Sequence, residues 1–278
     1  MILHKEGFRM ENNSKDVNVK PWDRVKIARG KDRPTSLDYI SRLFEGFMEL
    51  GGDRVYGDDH AIVAGLAMFK GVPVTVIGQQ KGKKNLEDAI FRNWGMVSPY
   101  GYRKALRIMK QAEKFHRPII CFVDTIGADC RTDSEKLGIG TSIAEILHEM
   151  SSLQTPILSI IISEGESGGA LALAVGNEVW ILENAVYSIL TPEGYASIIW
   201  KDSNRASEAA EIMKLESKEL LKLGIVEKVI PETTPVTVDS IDEVCKILEK
   251  EIFVFLKKNI KKSRKKIVSE RYERFRKY

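Results

Sequence analysis

The sequence is poor in cysteine and in long apolar runs, and both shortages exclude classes of protein. Its three cysteines, Cys121, Cys130 and Cys245, are widely separated, so they form neither a disulfide framework nor the paired spacing of a zinc site. The apolar runs are far shorter than the roughly 20 residues of a membrane-spanning helix, and residues 1–14 lack the apolar segment of a signal peptide. We therefore predict a cytoplasmic protein in a reducing compartment, with no metal site and no membrane association.

Histidine is also scarce, which limits the catalysis available to the chain. The four histidines are His4, His60, His116 and His148, and none lies in a recognisable nucleophile motif. Ser167 could act as a nucleophile only if a histidine and an aspartate came close to it in the fold. The sequence leaves His148 open as that histidine, although a packing or surface role for it is the simpler interpretation.

Charge is concentrated at one end of the chain. The net charge is +4, but residues 257–278 hold eleven Lys and Arg against two Glu, a local charge of +9 that leaves −5 for the rest. Three interpretations of this basic segment stay open. It can be a solvated terminal helix, a contact with another subunit, or a weak binding site for nucleic acid or another phosphate-bearing ligand, because clustered Lys and Arg attract phosphates without sequence preference.

The order of apolar segments predicts an α/β fold. Residues 61–69 and 72–79 are predicted as two strands joined by a tight turn at Lys70-Gly71. Pairs of strands before a helix suit a spiral of β-β-α units better than a plain doubly wound sheet. We divide the chain into a flexible N-terminus (1–20), a main domain (21–256) and a basic C-terminal helix or tail (257–278).

Two segments carry boundary predictions that the structure can test. A helix is expected to begin with Thr35 or Ser36 as its N-cap and to end at Gly51-Gly52, because Ile40, Leu43, Phe44 and Phe47 follow helical spacing. Residues 125–140 are expected to form a loop between a buried strand and the next helix.

The stretch from Thr155 to Ala174 organises the rest of the chain. It opens as a short apolar, β-branched run, which predicts a strand buried on both faces. We expect a turn at Gly165, after which Ser167-Gly168-Gly169 leads into a small-residue helix. Two backbone amides aimed at one point would form an oxyanion hole. The alternative is that Gly168 and Gly169 only make room for close packing of the helix on the strand.

Several separated blocks, in order along nearly the whole chain, resemble the α subunit of the bacterial, multi-subunit acetyl-CoA carboxylase carboxyltransferase. They are Arg33-Pro34-Thr35, Gly52-Asp53-Arg54, Gly78-Gln79-Gln80-Lys81-Gly82, Arg92-Asn93 with Gly95-Met96, Gly101-Tyr102-Arg103-Lys104-Ala105-Leu106-Arg107, Phe122-Val123-Asp124-Thr125, Ser167-Gly168-Gly169-Ala170-Leu171-Ala172, Pro192-Glu193-Gly194 and Glu270-Arg271-Tyr272-Glu273-Arg274. No single block would suffice, and the resemblance rests on their number and on their order along the chain.

The resemblance implies a crotonase-like spiral, the fold class that crotonase shares with Clp-type proteases, with helical extensions at both ends. It implies transfer of a carboxyl group from carboxybiotin on a biotin carboxyl carrier protein to acetyl-CoA, which gives malonyl-CoA for fatty acid biosynthesis. It also implies an α2β2 assembly with a zinc-ribbon β subunit, and a separate biotin carboxylase subunit that uses ATP. On this view the present chain binds no cofactor or metal of its own and is inactive without the β subunit.

The same resemblance assigns site residues. The Gly168 and Gly169 amides are expected to stabilise the oxyanion left on biotin, while Gly127, Ala128 and Ser167 are expected to border the biotin side. Because that oxyanion can itself take the methyl proton of acetyl-CoA, no protein base is required.

One loop departs from the family pattern. Relatives usually continue Asp-Thr with Pro-Gly-Ala-Tyr-Pro-Gly, whereas residues 126–134 here lack both prolines and the tyrosine and add Asp129, Arg131 and Asp133. A looser and more polar loop predicts weaker recognition of carboxybiotin. The alternative function is a divergent paralogue, either weakly active or a non-catalytic scaffold or regulatory subunit.

Overall fold

One mixed sheet of eight strands forms the centre of the molecule. The computed structural model describes residues 19–82 and 85–278. The strands are β1 Glu45–Glu49, β2 Ile62–Phe69, β3 Val72–Gln79, β4 Ile119–Thr125, β5 Ile157–Glu166, β6 Glu178–Leu182, β7 Val186–Ser188 and β8 Lys228–Ile230. Their order is β1-β2-β3-β4-β5-β6-β8, with β7 paired to β5. This arrangement confirms the α/β class.

The sheet changes from antiparallel to parallel at β3. Strands β1, β2 and β3 pair antiparallel, and the predicted turn at Lys70-Gly71 is confirmed as the β2–β3 connection. From β3 onward every pairing is parallel. Strands β4 and β5 are buried along their whole length, as their continuous apolar runs predict for central strands of a parallel sheet.

Twelve α-helices and two 3₁₀ turns surround the sheet within the described residues. The helices are α1 Pro21–Ala28, α2 Ser36–Leu43, α3 Leu86–Phe91, α4 Pro99–Lys114, α5 Thr132–Lys136, α6 Ile139–Ser152, α7 Ser167–Leu171, α8 Pro192–Trp200, α9 Ala206–Met213, α10 Ser217–Lys222, α11 Ile241–Asn259 and α12 Arg264–Phe275, and the 3₁₀ turns are Asn93–Gly95 and Ser203–Arg205. Within the same residues, no helix combines the length and apolar character needed to cross a bilayer.

The first long helix is shorter than the sequence predicts. Thr35 is confirmed as its N-cap, and Asp38 accepts a 2.7 Å hydrogen bond from the Thr35 amide to complete a capping box. The expected end at Gly51-Gly52 is wrong, because α2 stops at Leu43 and strand β1 follows. Gly46 has a φ of +60°, which a right-handed helix cannot contain, and Phe47 lies in that strand.

Two other boundaries differ in a way that affects the site. The predicted turn at Gly165 is wrong, because pairing of residues 164–166 with β7 keeps the backbone extended to Glu166. The turn falls at Ser167, whose φ is +60°. The expected loop 125–140 contains α5, so it is not wholly irregular.

The basic segment packs against its own chain on one face. Ile267, Arg271 and Arg274 are buried on α12. Arg271 donates to the carbonyls of Met150, Leu153 and Thr155 and to Asn177 Oδ1 at 2.7–2.9 Å. The remaining basic side chains of α12 are exposed or half-buried. The solvated-helix interpretation therefore describes only the outer face of α12.

The domain division falls partly outside the described residues. Of the segment predicted to be flexible, residues 1–18 are not described, and α1 begins at Pro21. At the other end, Lys257 lies inside α11, which continues to Asn259. The division at 21–256 and 257–278 stays a prediction.

Candidate functional site

The carboxyl ends of three parallel strands bring the predicted site residues together. Strand β3 ends at Gln79, β4 at Thr125 and β5 at Glu166. Since these strands are parallel, their ends lie at one edge of the sheet, where open α/β sheets bind ligands. The segments that follow β4 and β5 contain Gly127-Ala128 and Ser167-Gly168-Gly169.

Gly169 lies directly against the loop after β4. A Cβ built on Gly169 would be 2.5 Å from the Ala128 amide nitrogen and 2.6 Å from the Gly127 carbonyl carbon. Both distances are shorter than any ordinary contact, so only glycine fits here. The structure thus brings three of the five predicted residues, Gly127, Ala128 and Gly169, into backbone contact.

The other two predicted residues sit at the surface of the same turn. Ser167 is exposed and Gly168 half-buried. A Cβ on Gly168 would meet only Ile143 Cγ2, at an ordinary 3.7 Å. The first amides of a helix lack carbonyl partners within that helix. The N–H groups of Gly168 and Gly169 occupy this position at the start of α7, next to the Gly127 loop.

Gln79 and Tyr102 fix the peptide unit after Gly169. Its carbonyl oxygen accepts a hydrogen bond of 2.7 Å from Gln79 Nε2 and one of 3.2 Å from the Tyr102 hydroxyl. Gln79 Oε1 in turn accepts from the Asp124 amide at 3.1 Å. One buried glutamine therefore ties β3, β4 and α7 together. Neither Gln79 nor Tyr102 is among the site residues predicted from the sequence.

Thr125 shapes the facing loop. Its hydroxyl lies 2.7 Å from the Gly95 carbonyl and 2.6 Å from the Gly127 carbonyl, and it accepts from the Gly127 amide at 3.1 Å. Gly127 has a φ of +149°, and a Cβ there would meet nothing within 4 Å. The space beside Gly127 is therefore open, and its backbone conformation favours glycine.

A chain of ion pairs runs from the buried Asp124 and Glu164 to the exposed Arg29. Lys81 Nζ is 2.8 Å from Asp124 Oδ1 and 2.7 Å from Glu164 Oε2. Arg29 is 2.6 Å from the other oxygen of Glu164 and 2.5 Å from Glu193. Burial alone would lower the pKa of Lys81, but its two carboxylate neighbours outweigh burial and raise it. Lys81 is therefore a fixed cation joining the ends of β4 and β5.

The buried charge of loop 126–134 is paired within the loop itself. Asp129 is buried and accepts from Arg131 at 2.8–3.1 Å and from the Ser134 hydroxyl at 2.6 Å. Burial would raise the pKa of Asp129, but these hydrogen bonds lower it. Asp133 is exposed on α5. The buried carboxylate that the sequence adds to this loop is thus paired within the loop.

A serine nucleophile has no support in the described residues. No described histidine is hydrogen-bonded to Ser167. His60 stacks on Phe91 with ring centroids 4.0 Å apart, the His116 ring contacts Arg264, and His148 is exposed; His4 lies outside the described part. The described residues also contain no cluster of three or more His, Cys, Asp or Glu that could hold a metal ion.

Comparison with known proteins identifies the family. Residues 4–278 match the model of the "acetyl co-enzyme A carboxylase carboxyltransferase-like" family. The α subunit of acetyl-coenzyme A carboxylase carboxyl transferase from Clostridium acetobutylicum is 52% identical over 96% of both chains. A Natranaerobius thermophilus protein named as its subunits beta/alpha is also 52% identical, and this chain covers 42% of it.

Solved structures confirm the crotonase-like carboxyltransferase fold. A Pseudomonas malonate decarboxylase hetero-dimer subunit matches with a TM-score of 0.64 at 16% identity, over 87% of this chain and 98% of that one. The transcarboxylase 12S structure matches with a TM-score of 0.63 at 18% identity, over 90% of this chain and 48% of that one. None of these comparisons supports a divergent paralogue. The chain belongs to the α-subunit family of acetyl-CoA carboxylase carboxyl transferase.

Proposed function

We propose that this chain is the α half of a carboxyltransferase that moves a carboxyl group from carboxybiotin on a carrier protein to acetyl-CoA. The product is malonyl-CoA, the precursor for fatty acid biosynthesis. The observation that carries the proposal is the contact of Gly127-Ala128 with Gly169 at the carboxyl edge of the sheet. It places amides that lack partners within their own helix next to the open space at Gly127, which is what a site for a developing negative charge needs.

The Gly168 and Gly169 amides would face the oxygen that becomes negative as the carboxyl group leaves. Preorganised N–H donors stabilise such charge most when they cannot relax away from it. Here Gln79 and Tyr102 hold the carbonyl of Gly169, and the ion pairs of Lys81 hold the strand ends beneath. Carboxybiotin supplies the carboxyl group when it is bound, and the chain's residues supply position and hydrogen bonds.

The biotin side would be formed by Gly127, Ala128 and Ser167. The open space at Gly127 and the exposure of Ser167 fit a ligand that arrives from outside on a carrier. Since the buried Asp129 is paired within its own loop, it presents no free carboxylate to an apolar ring. The polarity of this loop was one of two reasons to expect weak recognition of carboxybiotin, and the internal pairing of Asp129 weakens that reason.

A β subunit would complete the site and receive acetyl-CoA, in an α2β2 assembly. Exposed apolar side chains after β7 and on α8 support a protein partner, because exposed apolar surface marks interaction sites. Ile189 after β7 is 80% exposed, and Ile198 and Ile199 on α8 are 60% and 56% exposed. A biotin carboxylase subunit would supply the carboxylated carrier.

The test is reconstitution from purified parts. The chain, a β subunit, carboxylated carrier protein and acetyl-CoA are mixed, and malonyl-CoA is measured by mass spectrometry. We expect product only when both subunits are present, and an α2β2 mass by analytical ultracentrifugation. The Clostridium acetobutylicum α subunit serves as the positive control with the same β subunit. Activity of this chain alone, or failure where the control succeeds, would refute the proposal.

A cytoplasmic location completes the proposal. All three cysteines are free thiols, and Cys130 is exposed, which suits a reducing compartment. Cell fractionation with an antibody to the chain checks the location.

A further inference from the structure

Glu166 is the last residue of β5 and directly precedes the turn at Ser167. Its side chain is buried, with a residue exposure of 0%. Alternate residues of a strand point to the same face, so Glu166 lies on the side of Glu164 and its ion pairs. Across the pairing with β7, its partner in register is Ser188.

The hydrogen bonds around Ser188 require one proton more than the serine can give. The Ser188 hydroxyl contacts both Glu166 Oε2 and, at 2.6 Å, the Leu190 carbonyl oxygen. A hydroxyl has a single proton, and a backbone carbonyl can only accept. If Ser188 donates to Leu190, its contact with Glu166 needs a proton on the glutamate. An ionised Glu166 would leave one acceptor unpaired.

The second oxygen of Glu166 points to the same protonation state. Oε1 is buried and has no hydrogen-bond partner among the described residues. An unpaired oxygen of a neutral carboxyl group costs far less in a protein interior than an unpaired oxygen of a carboxylate.

The two cations that act on Glu166 are already paired with other carboxylates. Lys81 pairs with Asp124 and Glu164, and Arg29 pairs with Glu164 and Glu193. An ionised Glu166 would therefore be a buried carboxylate without an ion-pair partner among the described residues. Burial raises the pKa of Glu166 to about 8, and Glu164 contributes in the same direction; Arg29, Lys81 and a hydroxyl donating from Ser188 would lower the pKa but do not outweigh burial.

We propose that Glu166 is a neutral carboxylic acid that positions the Ser167–Gly169 turn by donating a hydrogen bond to Ser188. Glu166 donates a hydrogen bond to the Ser188 hydroxyl, and Ser188 in turn donates one to the Leu190 carbonyl. These two hydrogen bonds hold the end of β5 against β7. This inference rests on the proposed function, in which the Gly168 and Gly169 amides face an oxyanion.

Ionisation of Glu166 would then weaken the site in two ways. The carboxylate could no longer donate, so either Ser188 or Leu190 would lose a hydrogen-bond partner. It would also place a negative charge beside amides that must stabilise another negative charge. Turnover should fall as the pH rises through the pKa of Glu166, by up to tenfold per pH unit where the ionised form is inactive.

The first test is the pH profile of malonyl-CoA formation in the complete complex. The wild type is expected to lose turnover above about pH 8. Glu166→Gln keeps a donor and cannot ionise, so its profile should lack this alkaline decrease. Ser188→Ala removes the acceptor of the Glu166 proton and so destabilises the neutral acid, and the decrease should move to lower pH. Glu208→Gln makes the same exchange at an exposed helix carboxylate and should keep the wild-type profile.

The second test needs neither the β subunit nor the carrier. In a difference infrared spectrum of the isolated chain, wild type minus Glu166→Gln, a protonated carboxylic acid gives a carbonyl band that a carboxylate lacks. We expect that band at pH 7 and its disappearance above about pH 8. If Glu166→Gln does not fold, the Ser188→Ala variant decides instead. A titration of the band that moves to lower pH supports donation from Glu166 to Ser188, and an unchanged titration or one that moves to higher pH overturns it.

The outcomes separate the two proposals. Absence of the protonated band at pH 7, or an unchanged alkaline decrease in Glu166→Gln, would overturn the assignment of Glu166 even if the complex makes malonyl-CoA. Failure of reconstitution with a normal infrared titration would instead overturn the proposed function and leave the protonation of Glu166 established.

Discussion

The Gly169→Ala substitution tests the site most directly, because the structure gives the added methyl group no room. The new Cβ would lie 2.5 Å from the Ala128 nitrogen, 2.6 Å from the Gly127 carbonyl carbon and 3.1 Å from Gly127 Cα. All three are backbone atoms, so no side chain can rotate away. Either α7 or the Gly127 loop must move.

The size of that movement determines how much turnover the variant is expected to lose. Comfortable contacts between non-bonded heavy atoms lie near 3.5 Å, so the two segments must separate by roughly 1 Å. A displacement of that size costs on the order of 100-fold in turnover, similar to the loss of one oxyanion donor at about 100- to 1000-fold. Movement of α7 would also strain the hydrogen bonds from Gln79 and Tyr102. Overpacking of this kind destabilises proteins by about 1–3 kcal/mol.

The assay measures turnover in the reconstituted complex and thermal unfolding of the chain alone. Gly140→Ala is the matched control, since Gly140 is exposed in the first turn of α6 and its Cβ would meet nothing within 4 Å. Gly168→Ala serves as a second stability control, with only an ordinary contact to Ile143. A Gly169→Ala variant that assembles and retains turnover within a few-fold of wild type would refute the oxyanion assignment.

Two stability predictions concern buried polar groups away from this turn. Burial would raise the pKa of Asp53, but hydrogen bonds from the backbone N–H groups of residues 55–57 and from Arg103 lower it to about 2 from 3.8. Asp53→Asn should therefore lower the free energy of unfolding by about 2 kcal/mol at pH 7. This difference from the wild type should vanish as the pH falls from about 4 to about 2, because the wild-type carboxylate then becomes protonated. The exposed Asp133→Asn is the control in chemical denaturation. Arg271→Met removes the donor of four hydrogen bonds, three of them buried, and should lower the free energy of unfolding by about 3 kcal/mol or more. Arg276→Met, at an exposed arginine, should change it by no more than about 0.5 kcal/mol. Equal unfolding midpoints for the two variants would contradict the prediction.

Much of the fold was predictable because local patterns and tertiary packing agree. Continuous apolar runs fixed β4 and β5 as central strands, and Lys70-Gly71 marked the β2–β3 turn. The helix after Thr35 was overextended because Phe47 happens to continue the spacing of Ile40, Leu43 and Phe44. Apolar spacing carries no information about the positive φ of Gly46, which ends the helix. It also carries none about the pairing of β1 with β2.

The site was predictable only in part. Gly169 stood in a block shared with a family, Gly127 and Ala128 match the Gly-Ala pair of the family's loop, and the backbones of the three residues do meet. Gln79 and Tyr102 also stood in shared blocks, but they were not predicted as site residues, because their partner is 90 and 67 residues away in the sequence. A polar side chain at the end of a buried apolar strand was a further signal for Gln79.

Such strand-end polar residues explain how the site is held in place. Gln79, Asp124, Glu164 and Glu166 all lie within two residues of the carboxyl end of a parallel strand, where backbone ladders stop and polar groups need other partners. Their partners here are one another, Lys81, Arg29, Ser188 of β7 and the Gly169 carbonyl of α7. Because this network is anchored on buried strands and not on surface loops, it can hold amide donors to the accuracy that oxyanion stabilisation requires. The exposed residues 130–133 of the loop can therefore vary in sequence while the Gly169 turn stays fixed.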